Sequence, residues 1–321
     1  MSLDLNDVTI CAADSVNSKA SARALRLSME AGQFGDAILF TDAEITGPFR
    51  TVKIGKLTSF SDYSNFIIKQ LPSLTHTAYV LVVQWDGYVV NPAAWHPSFR
   101  AFDYIGARWT NFRDGNTVGN GGFSLRSRRL LDALLDDRFP SEFDVAEDVL
   151  ICRRSRTVLE ENFGIRFAPE GAAMQFSYEN EAPKGPTFGF HGMGNMWRYV
   201  PDAEMVELLD LLDPYSYRSP HCCYLLMNYY LQKKVSPLFA LYEKIREHWA
   251  PEELLGQMTD IIGRESMARE AVQFCEGVRN RRAVGARMDV VRIAPMSALS
   301  RAPRCYCGSR LRYPHCHGMI P

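Results

Sequence analysis

The first third of the chain alternates between short apolar runs that end in polar residues and longer segments with helical spacing of apolar residues. Apolar runs predict strands at 8–13, 37–40 and 79–83, and helical spacing predicts helices between them at 18–32 and 63–71. Pro72 is expected to end the second helix. The order βαβαβ is typical of parallel strands joined by right-handed crossovers, so we predict an α/β fold.

Acidic residues follow each of the three predicted strands, at Asp14, Asp42 and Asp86. In sheets of this kind, ligands bind beyond the carboxyl ends of the strands. In the segment QWDG, Gln84 and Asp86 follow the last strand, and Gly87 permits a sharp turn or a close approach to a ligand. A carboxylate there is able to hold a hard divalent cation such as Mg²⁺ or Mn²⁺, which prefers oxygen ligands. A turn-forming or helix-capping aspartate is the structural alternative.

Beyond residue 200 the pattern changes to long helical stretches, at 202–212, 221–234, 237–249 and 252–278. We therefore predict a first domain at 1–200, a helical region at 201–280, a basic linker at 281–303 and a small C-terminal motif at 304–321. Five cysteines lie within apolar or helical patterns and are predicted to be buried thiols: Cys11, Cys152, Cys222, Cys223 and Cys275.

The overall charge and hydropathy of the chain exclude several classes of partner. A formal net charge of −1 gives no support for whole-molecule attraction to nucleic acid. Apolar runs are too short to span a membrane, and the N-terminus lacks the features of a secretory signal. We therefore expect a cytoplasmic protein without a transmembrane segment.

Five later segments form an ordered series of motifs: FDYIGARW at 102–109, GNGGFSLRSRR at 119–129, AEDVLI at 146–151, AAMQFSYE at 172–179 and FGFHG at 188–192. In this order and spacing they resemble a bacterial family of GT-A-type glycosyltransferases, over roughly residues 5–200. The resemblance implies a GT-A-like (Rossmann-like) catalytic domain, with a mixed sheet flanked by helices and a nucleotide-sugar site. It also implies transfer from a donor, expected to be linked to uridine diphosphate, to a hydroxyl of an unidentified glycan, lipid or protein acceptor.

The resemblance further implies a divalent cation, Mn²⁺ or Mg²⁺, at the donor site. Asp86 matches the acid that holds this cation, and His191 matches a late-loop histidine that completes the coordination. Gln84 stands where the usual motif has a first acid, and its amide is able to hydrogen-bond a ribose hydroxyl instead. For His191, a purely structural hydrogen-bonding role remains open.

One of the adjacent acids Glu147 and Asp148 is implied to be the general base of an inverting transfer, which takes a proton from the acceptor hydroxyl. Asp144 and Glu147 have the spacing of a capping box, which gives Glu147 a structural role. Asp148 projects about 100 degrees further around the helix and is the favoured base. The alternative for Asp148 is a first-turn acid that complements the helix dipole.

The glycine run at Gly119, Gly121 and Gly122 removes side chains where another group approaches the backbone. That group is either a bound sugar or the neighbouring chain of a tight turn, and the strand predicted at 123–125, with Ser127 as the cap of the next helix, favours the sugar. The predicted donor-binding residues are therefore Asp14, Gln84, Asp86, Gly121 and Gly122. Trp109, Arg126 and Glu179 are further candidates for donor or acceptor contacts.

The last seventeen residues contain three cysteines beside two histidines. Cys305, Cys307, Cys316 and His317 have the composition of a closed tetrahedral Zn²⁺ site. The segment resembles the SEC-C motif, which implies a structural zinc and a protein partner rather than catalysis. A disordered tail with reactive thiols is the alternative, although metal binding is what folds such short segments.

Two other functions compete with sugar transfer. Nucleotidyl transfer uses a similar sheet and cation, but the segment after the first strand, CAADSVNSKAS, lacks the glycines of a phosphate-binding loop. A catalytically silent binding module, recruited through the zinc tail, is the second alternative, because Gln84 replaces an acid.

Overall fold

A computed structural model describes residues 2–140 and 145–283 of the chain. These residues divide into two compact units, the first ending at Gly192 and the second beginning at Met193. From residue 284 onward, the predicted basic linker and the predicted zinc motif lie outside the described residues.

A six-stranded sheet forms the centre of the first unit, in the order β3-β2-β1-β4-β6-β5. Its strands are β1 (Leu3–Ala13), β2 (Gly32–Thr41), β3 (Arg50–Lys53), β4 (Tyr79–Val82), β5 (Tyr104–Ile105) and β6 (Ser124–Ser127). The first four strands are parallel, whereas β6 runs antiparallel to both β4 and β5. The predicted α/β fold with a mixed sheet and flanking helices is confirmed.

Seven α-helices belong to the described part of this unit: α1 (Ser18–Met29), α2 (Phe60–Asn65), α3 (Leu71–Leu74), α4 (Arg128–Ala133), α5 (Glu147–Val149), α6 (Arg156–Phe163) and α7 (Glu170–Phe176). The prediction that Pro72 ends a helix is wrong. A π-helical turn at Phe66–Gln70 joins α2 to α3, and Pro72 lies in the first turn of α3. Proline is tolerated there because the first turn of a helix does not use its N–H groups.

The central strands β1 and β4 bury both of their faces. In β1, Ile10 packs into one apolar cluster and Cys11 into the other. In β4, Leu81 and Val80 divide in the same way, because successive side chains of a strand point to opposite faces. Double burial explains the uninterrupted apolar runs in the sequence, and the parallel pairing of the two strands brings their carboxyl ends together.

The described residues of the second unit contain helices and no strands. Its α-helices are α8 (Asp202–Leu209), α9 (Pro220–Leu231), α10 (Val235–Arg246), α11 (Pro251–Ile262) and α12 (Glu265–Ala283). The single stretch predicted at 252–278 is therefore two helices. Gly263 ends α11 with a φ of 63°, a left-handed conformation that glycine adopts without strain.

All five cysteines predicted to be buried thiols are buried and free. Within the described ranges, every helix is too short or too polar to cross a lipid bilayer.

Candidate functional site

A tight turn directly after β4 presents Asp86. The backbone N–H of Gln84 donates to the carbonyl of Gly87 at 2.9 Å, and the N–H of Gly87 returns a bond to the carbonyl of Gln84 at 3.0 Å. The Asp86 side chain is 14% exposed, and its Oδ1 lies 3.6 Å from Nε2 of His191. The strand end and the late loop predicted from the sequence therefore meet.

His191 lies between three oxygen-bearing side chains. Its Nδ1 is 3.0 Å from Oε1 of Glu179, and its Nε2 is 3.0 Å from Oε1 of Gln84. Burial lowers the pKa of His191, but the charges of Asp86 and Glu179 outweigh burial and raise the pKa to about 9. At neutral pH the imidazole is therefore a cation that donates from both nitrogens.

The imidazole of His191 lies against two glycines. A Cβ on Gly122 would stand 2.0 Å from Nε2, and a Cβ on Gly87 would stand 2.7 Å from Cδ2. Likewise, a Cβ on Gly121 would stand 1.9 Å from Oε1 of Glu147. The sequence analysis left two alternatives for the group that approaches these glycines, a bound sugar or the neighbouring chain of a tight turn. In the structure, side chains of the protein itself occupy the space.

The adjacent acids Glu147 and Asp148 differ in their surroundings. Glu147 is 4% exposed, and its Oε1 accepts a bond of 2.8 Å from Nη2 of Arg126. Asp148 accepts instead from two backbone groups, with Gly121 N–H 2.8 Å from Oδ2 and Val149 N–H 2.7 Å from Oδ1. Burial, followed by the charge of Glu147, raises the pKa of Asp148 to about 7.

The predicted capping box of Asp144 with Glu147 involves a residue outside the described ranges. The cap position of α5 is Ala146, which makes no side-chain capping bond. The ion pair with Arg126 accounts for the burial of Glu147 in place of a cap.

Asp14 lies close enough to Asp86 for the two charges to interact, but both of its oxygens serve the start of α1. Oδ1 accepts the N–H groups of Val16 and Asn17, each at 2.7 Å, and Oδ2 accepts from the Ser21 hydroxyl at 2.6 Å. Burial raises the pKa of Asp14, and the charge of Asp86 adds to that effect. These bonds give Asp14 a structural role that competes with the predicted contact to the donor.

Sequence reasoning missed Tyr63, which it treated only as part of an apolar helix face. The Tyr63 hydroxyl accepts from Nε2 of Gln84 at 2.9 Å and so fixes the amide that faces His191. Trp109, by contrast, is a packing residue that is 7% exposed. A Cβ on Gly119 would stand 2.1 Å from its ring, which explains the first glycine of the run.

The charges around Asp148 and the charges around His191 interact with each other. Asp148 contributes to the raised pKa of His191, and Glu179 contributes to the raised pKa of Asp148. Carboxylates thus outnumber the cationic partners His191 and Arg126 in this region. Among residues 2–140 and 145–283, however, no group of three or more His, Cys, Asp or Glu is arranged to hold a metal ion. A cation bound here would need oxygen ligands from a substrate.

Comparisons with known proteins add the following. A family model described as "Protein of unknown function (DUF5672)" matches residues 48–191, a segment that contains Asp86, Asp148 and His191. The mannosyltransferase PcManGT from Pyrobaculum calidifontis, solved in complex with GDP-Man and Mn²⁺, matches with 11% identity and a TM-score of 0.36. That match covers 87% of this chain and 79% of the other, and is too distant to support an argument on function. No curated protein matches the sequence.

Proposed function

We propose that the protein is an inverting glycosyltransferase that moves a sugar from a nucleotide-sugar donor to an acceptor hydroxyl, with Asp148 as the catalytic base. The observation that carries the proposal is the environment of Asp148, meaning its hydrogen bonds, its pKa and its charged neighbours. Its carboxylate is held by two backbone N–H groups, has a pKa of about 7, and interacts with the cluster formed by Asp86, Glu179 and His191. A general base works best when its pKa lies near the working pH. The series of motifs that resembles GT-A-type glycosyltransferases gives independent support.

In the proposed reaction, Asp148 accepts the proton of the acceptor hydroxyl as the acceptor oxygen bonds to the anomeric carbon. The bond from that carbon to the diphosphate oxygen breaks at the same time, and the diphosphate leaves with the electron pair. Glu147 is unsuited to this step because Arg126 already binds its carboxylate. The N–H groups of Gly121 and Val149 orient the carboxylate of Asp148 before the acceptor arrives.

A divalent cation, Mn²⁺ or Mg²⁺, would be held by Asp86 and His191 together with oxygens of the diphosphate. Such an ion supplies neutralisation of the charge that develops on the departing diphosphate. The donor set fits in part. Glu179 binds the second nitrogen of the imidazole, as carboxylates commonly do for metal-binding histidines, and Gln84 adds an amide oxygen. The proton on His191 Nε2 must leave before that nitrogen is able to bind a metal.

A thermal-shift screen of nucleoside diphosphates and nucleotide sugars, with and without Mn²⁺, identifies the donor, since a ligand of the native state raises its apparent stability. Turnover is then measured with the donor that binds. Asp148→Asn should reduce transfer by at least about 100-fold, because the amide is unable to accept a proton, and should leave nucleotide affinity nearly unchanged. Asp132→Asn, on the exposed face of α4, is the matched control and should behave as wild type.

If Asp148→Asn transfers sugar at close to the wild-type rate, Asp148 is a helix-start acid and its assignment as the catalytic base is wrong. A wild-type protein that binds a nucleotide sugar but neither hydrolyses nor transfers it would be a binding module.

A further inference from the structure

Arg126 lies on β6 with none of its side chain exposed, although it carries a permanent charge. Its Nη2 donates to Oε1 of Glu147 at 2.8 Å, and the two side chains are 0% and 5% exposed. The guanidinium also lies 5.4 Å from the ring of Tyr104. Arg126 therefore neutralises the acid next to the proposed base.

The same guanidinium reaches the other neighbour of Asp148. Nη2 lies 3.4 Å from the carbonyl oxygen of Gly121, and Nε donates to the Ser124 hydroxyl at 3.0 Å. The Ser124 hydroxyl in turn donates to the Gly121 carbonyl at 3.0 Å. The N–H of Gly121 is the group that binds Oδ2 of Asp148. Arg126 thus contacts the acid beside Asp148 and one of the two residues whose N–H groups bind its carboxylate.

Stability alone gives no reason for this arrangement. Taking two charges out of water is costly, and apolar side chains of similar volume often replace a buried ion pair at no loss of stability. In addition, Nη1 of Arg126 has no hydrogen-bond partner among the described residues. A buried network of this kind is favoured for stability only when every member is satisfied.

We propose that Arg126 is a positioning residue for Asp148, acting through the charge of Glu147 and through the backbone of Gly121, whose carbonyl it contacts and whose N–H binds Asp148. The inference rests on the proposed function only for its kinetic consequence.

The charged and titratable groups around Asp148 are Glu147, Glu179, His191, Tyr104 and Cys152. Of these, Glu147 is the acid whose charge Arg126 compensates directly.

The first measurement is the pH dependence of transfer by the wild type, by Arg126→Met, and by Arg126→Met combined with Glu147→Gln. In Arg126→Met, the charge of Glu147 is left uncompensated beside Asp148 and should raise the pKa of Asp148. The acidic limb of the pH–rate profile, where Asp148 loses its proton, should therefore move to higher pH by about one unit or more. The double variant removes both charges, so the limb should return to the wild-type position or below it. Its kcat should stay reduced, with KM for the donor unchanged, because the Gly121 carbonyl and the Ser124 hydroxyl have lost their contacts with the guanidinium.

Arg126→Met is at risk of misfolding, because it leaves a buried carboxylate unpaired. Two further variants, Arg126→Lys and Arg129→Met, therefore serve as controls. Arg126→Lys keeps the positive charge and loses the planar fork, so the limb should stay in place while kcat falls. Arg129→Met removes a neighbouring arginine that binds Asp103 instead, and should leave the pH profile unchanged.

A second measurement does not depend on turnover. The carboxyl ¹³C resonance of Asp148, identified by its loss in Asp148→Asn, is titrated in each variant and should move as the kinetic limb does. If the wild type transfers no sugar from any donor, the proposed function fails, yet this titration still decides the role of Arg126. Titrations and profiles that superimpose on the wild type in every variant, with only thermal stability altered, overturn the proposal.

Discussion

At the scale of single residues, Asp86 and His191 differ in what they offer to a cation. Asp86 is the one anionic group of the QWDG turn, whereas His191 offers a nitrogen that is neutral once its proton has left. Losing a neutral ligand costs a cation site less than losing a charged one. Removal of His191 also takes away the cation that Asp86 and Glu179 share, and the two carboxylates then attract a divalent metal ion more strongly.

We therefore predict that the two alanine variants differ in kind. Nucleoside diphosphate binding should become insensitive to Mn²⁺ in Asp86→Ala, and should recover at high Mn²⁺ in His191→Ala. Calorimetric titration of the nucleotide at increasing Mn²⁺ measures both effects. If the wild type binds the nucleotide equally well in EDTA and in Mn²⁺, metal assistance is wrong, and Gln84 then marks a metal-independent site.

At the scale of elements, the glycine-rich turn before β6 contains one residue in an unusual conformation. Asn120 has a φ of 59°, a left-handed value that asparagine tolerates better than most residues. It is 4% exposed, and its Oδ1 is buried without a hydrogen-bond partner among the described residues. The conformation of Asn120 directs the next peptide, whose N–H binds Asp148.

We predict that Asn120→Gly is more stable than Asn120→Ala by about 1 kcal/mol, because both variants lack the carboxamide and only alanine is strained at positive φ. Midpoints of urea unfolding measure the difference. Asn91, with a φ of −145°, is the matched control, and there the alanine variant should be the more stable of the two. Equal stability of the two Asn120 variants would mean that the turn rearranges.

Local patterns predicted the elements that local forces determine. The apolar runs of β1, β2 and β4 were visible in the sequence, and the prediction that Ser127 caps the next helix is confirmed by the Leu130 N–H, which donates to its hydroxyl at 3.1 Å. The two-residue strand β5 gave no signal, because so short a strand has no periodicity and is held by tertiary partners, β6 on one side and the segment around Phe167 on the other.

The candidate site was also predictable only where local sequence patterns determine it. Its residue types were visible in the motifs, but the pairings of Glu179 with His191, Arg126 with Glu147 and Tyr63 with Gln84 were not. Each pair joins separate segments of the chain, so tertiary packing alone decides which partners meet.

At the scale of the whole molecule, the raised pKa of His191 links stability to pH. A group whose folded pKa lies above its ordinary value stabilises the native state below that ordinary value, and the contribution is lost as pH rises through the folded pKa. For His191 the window runs from 6.5 to about 9. Asp148 acts lower, since its carboxyl, with a pKa raised from 3.8 to about 7, costs native stability as it ionises.

We predict that the free energy of unfolding falls by up to about 3 kcal/mol more in the wild type than in His191→Gln over that window. Urea unfolding at each end of the window, followed by tryptophan fluorescence, provides the comparison. Parallel losses in the two proteins would show that His191 is not the titrating group.

The zinc motif predicted at the C-terminus, which lies outside the described residues, supplies a separate prediction. The purified protein should carry about one zinc per chain. Replacing Cys305 and Cys307 by serine should remove the metal and leave sugar transfer intact, since the motif follows the first unit far along the chain. Elemental analysis and turnover measure the two effects. Loss of transfer together with zinc would instead tie the motif to the active site.

The contact between Gln84 and His191 spans 107 positions of the chain, and His191 is the penultimate residue of the first unit. During synthesis, the strands that carry Asp14 and Asp86 leave the ribosome long before the imidazole that lies beside Asp86. A chain interrupted before residue 191 therefore contains Asp86 and Glu179 without the imidazole that pairs with both. If the proposed function holds, the donor site is therefore completed late in translation, when the first unit is all but synthesised.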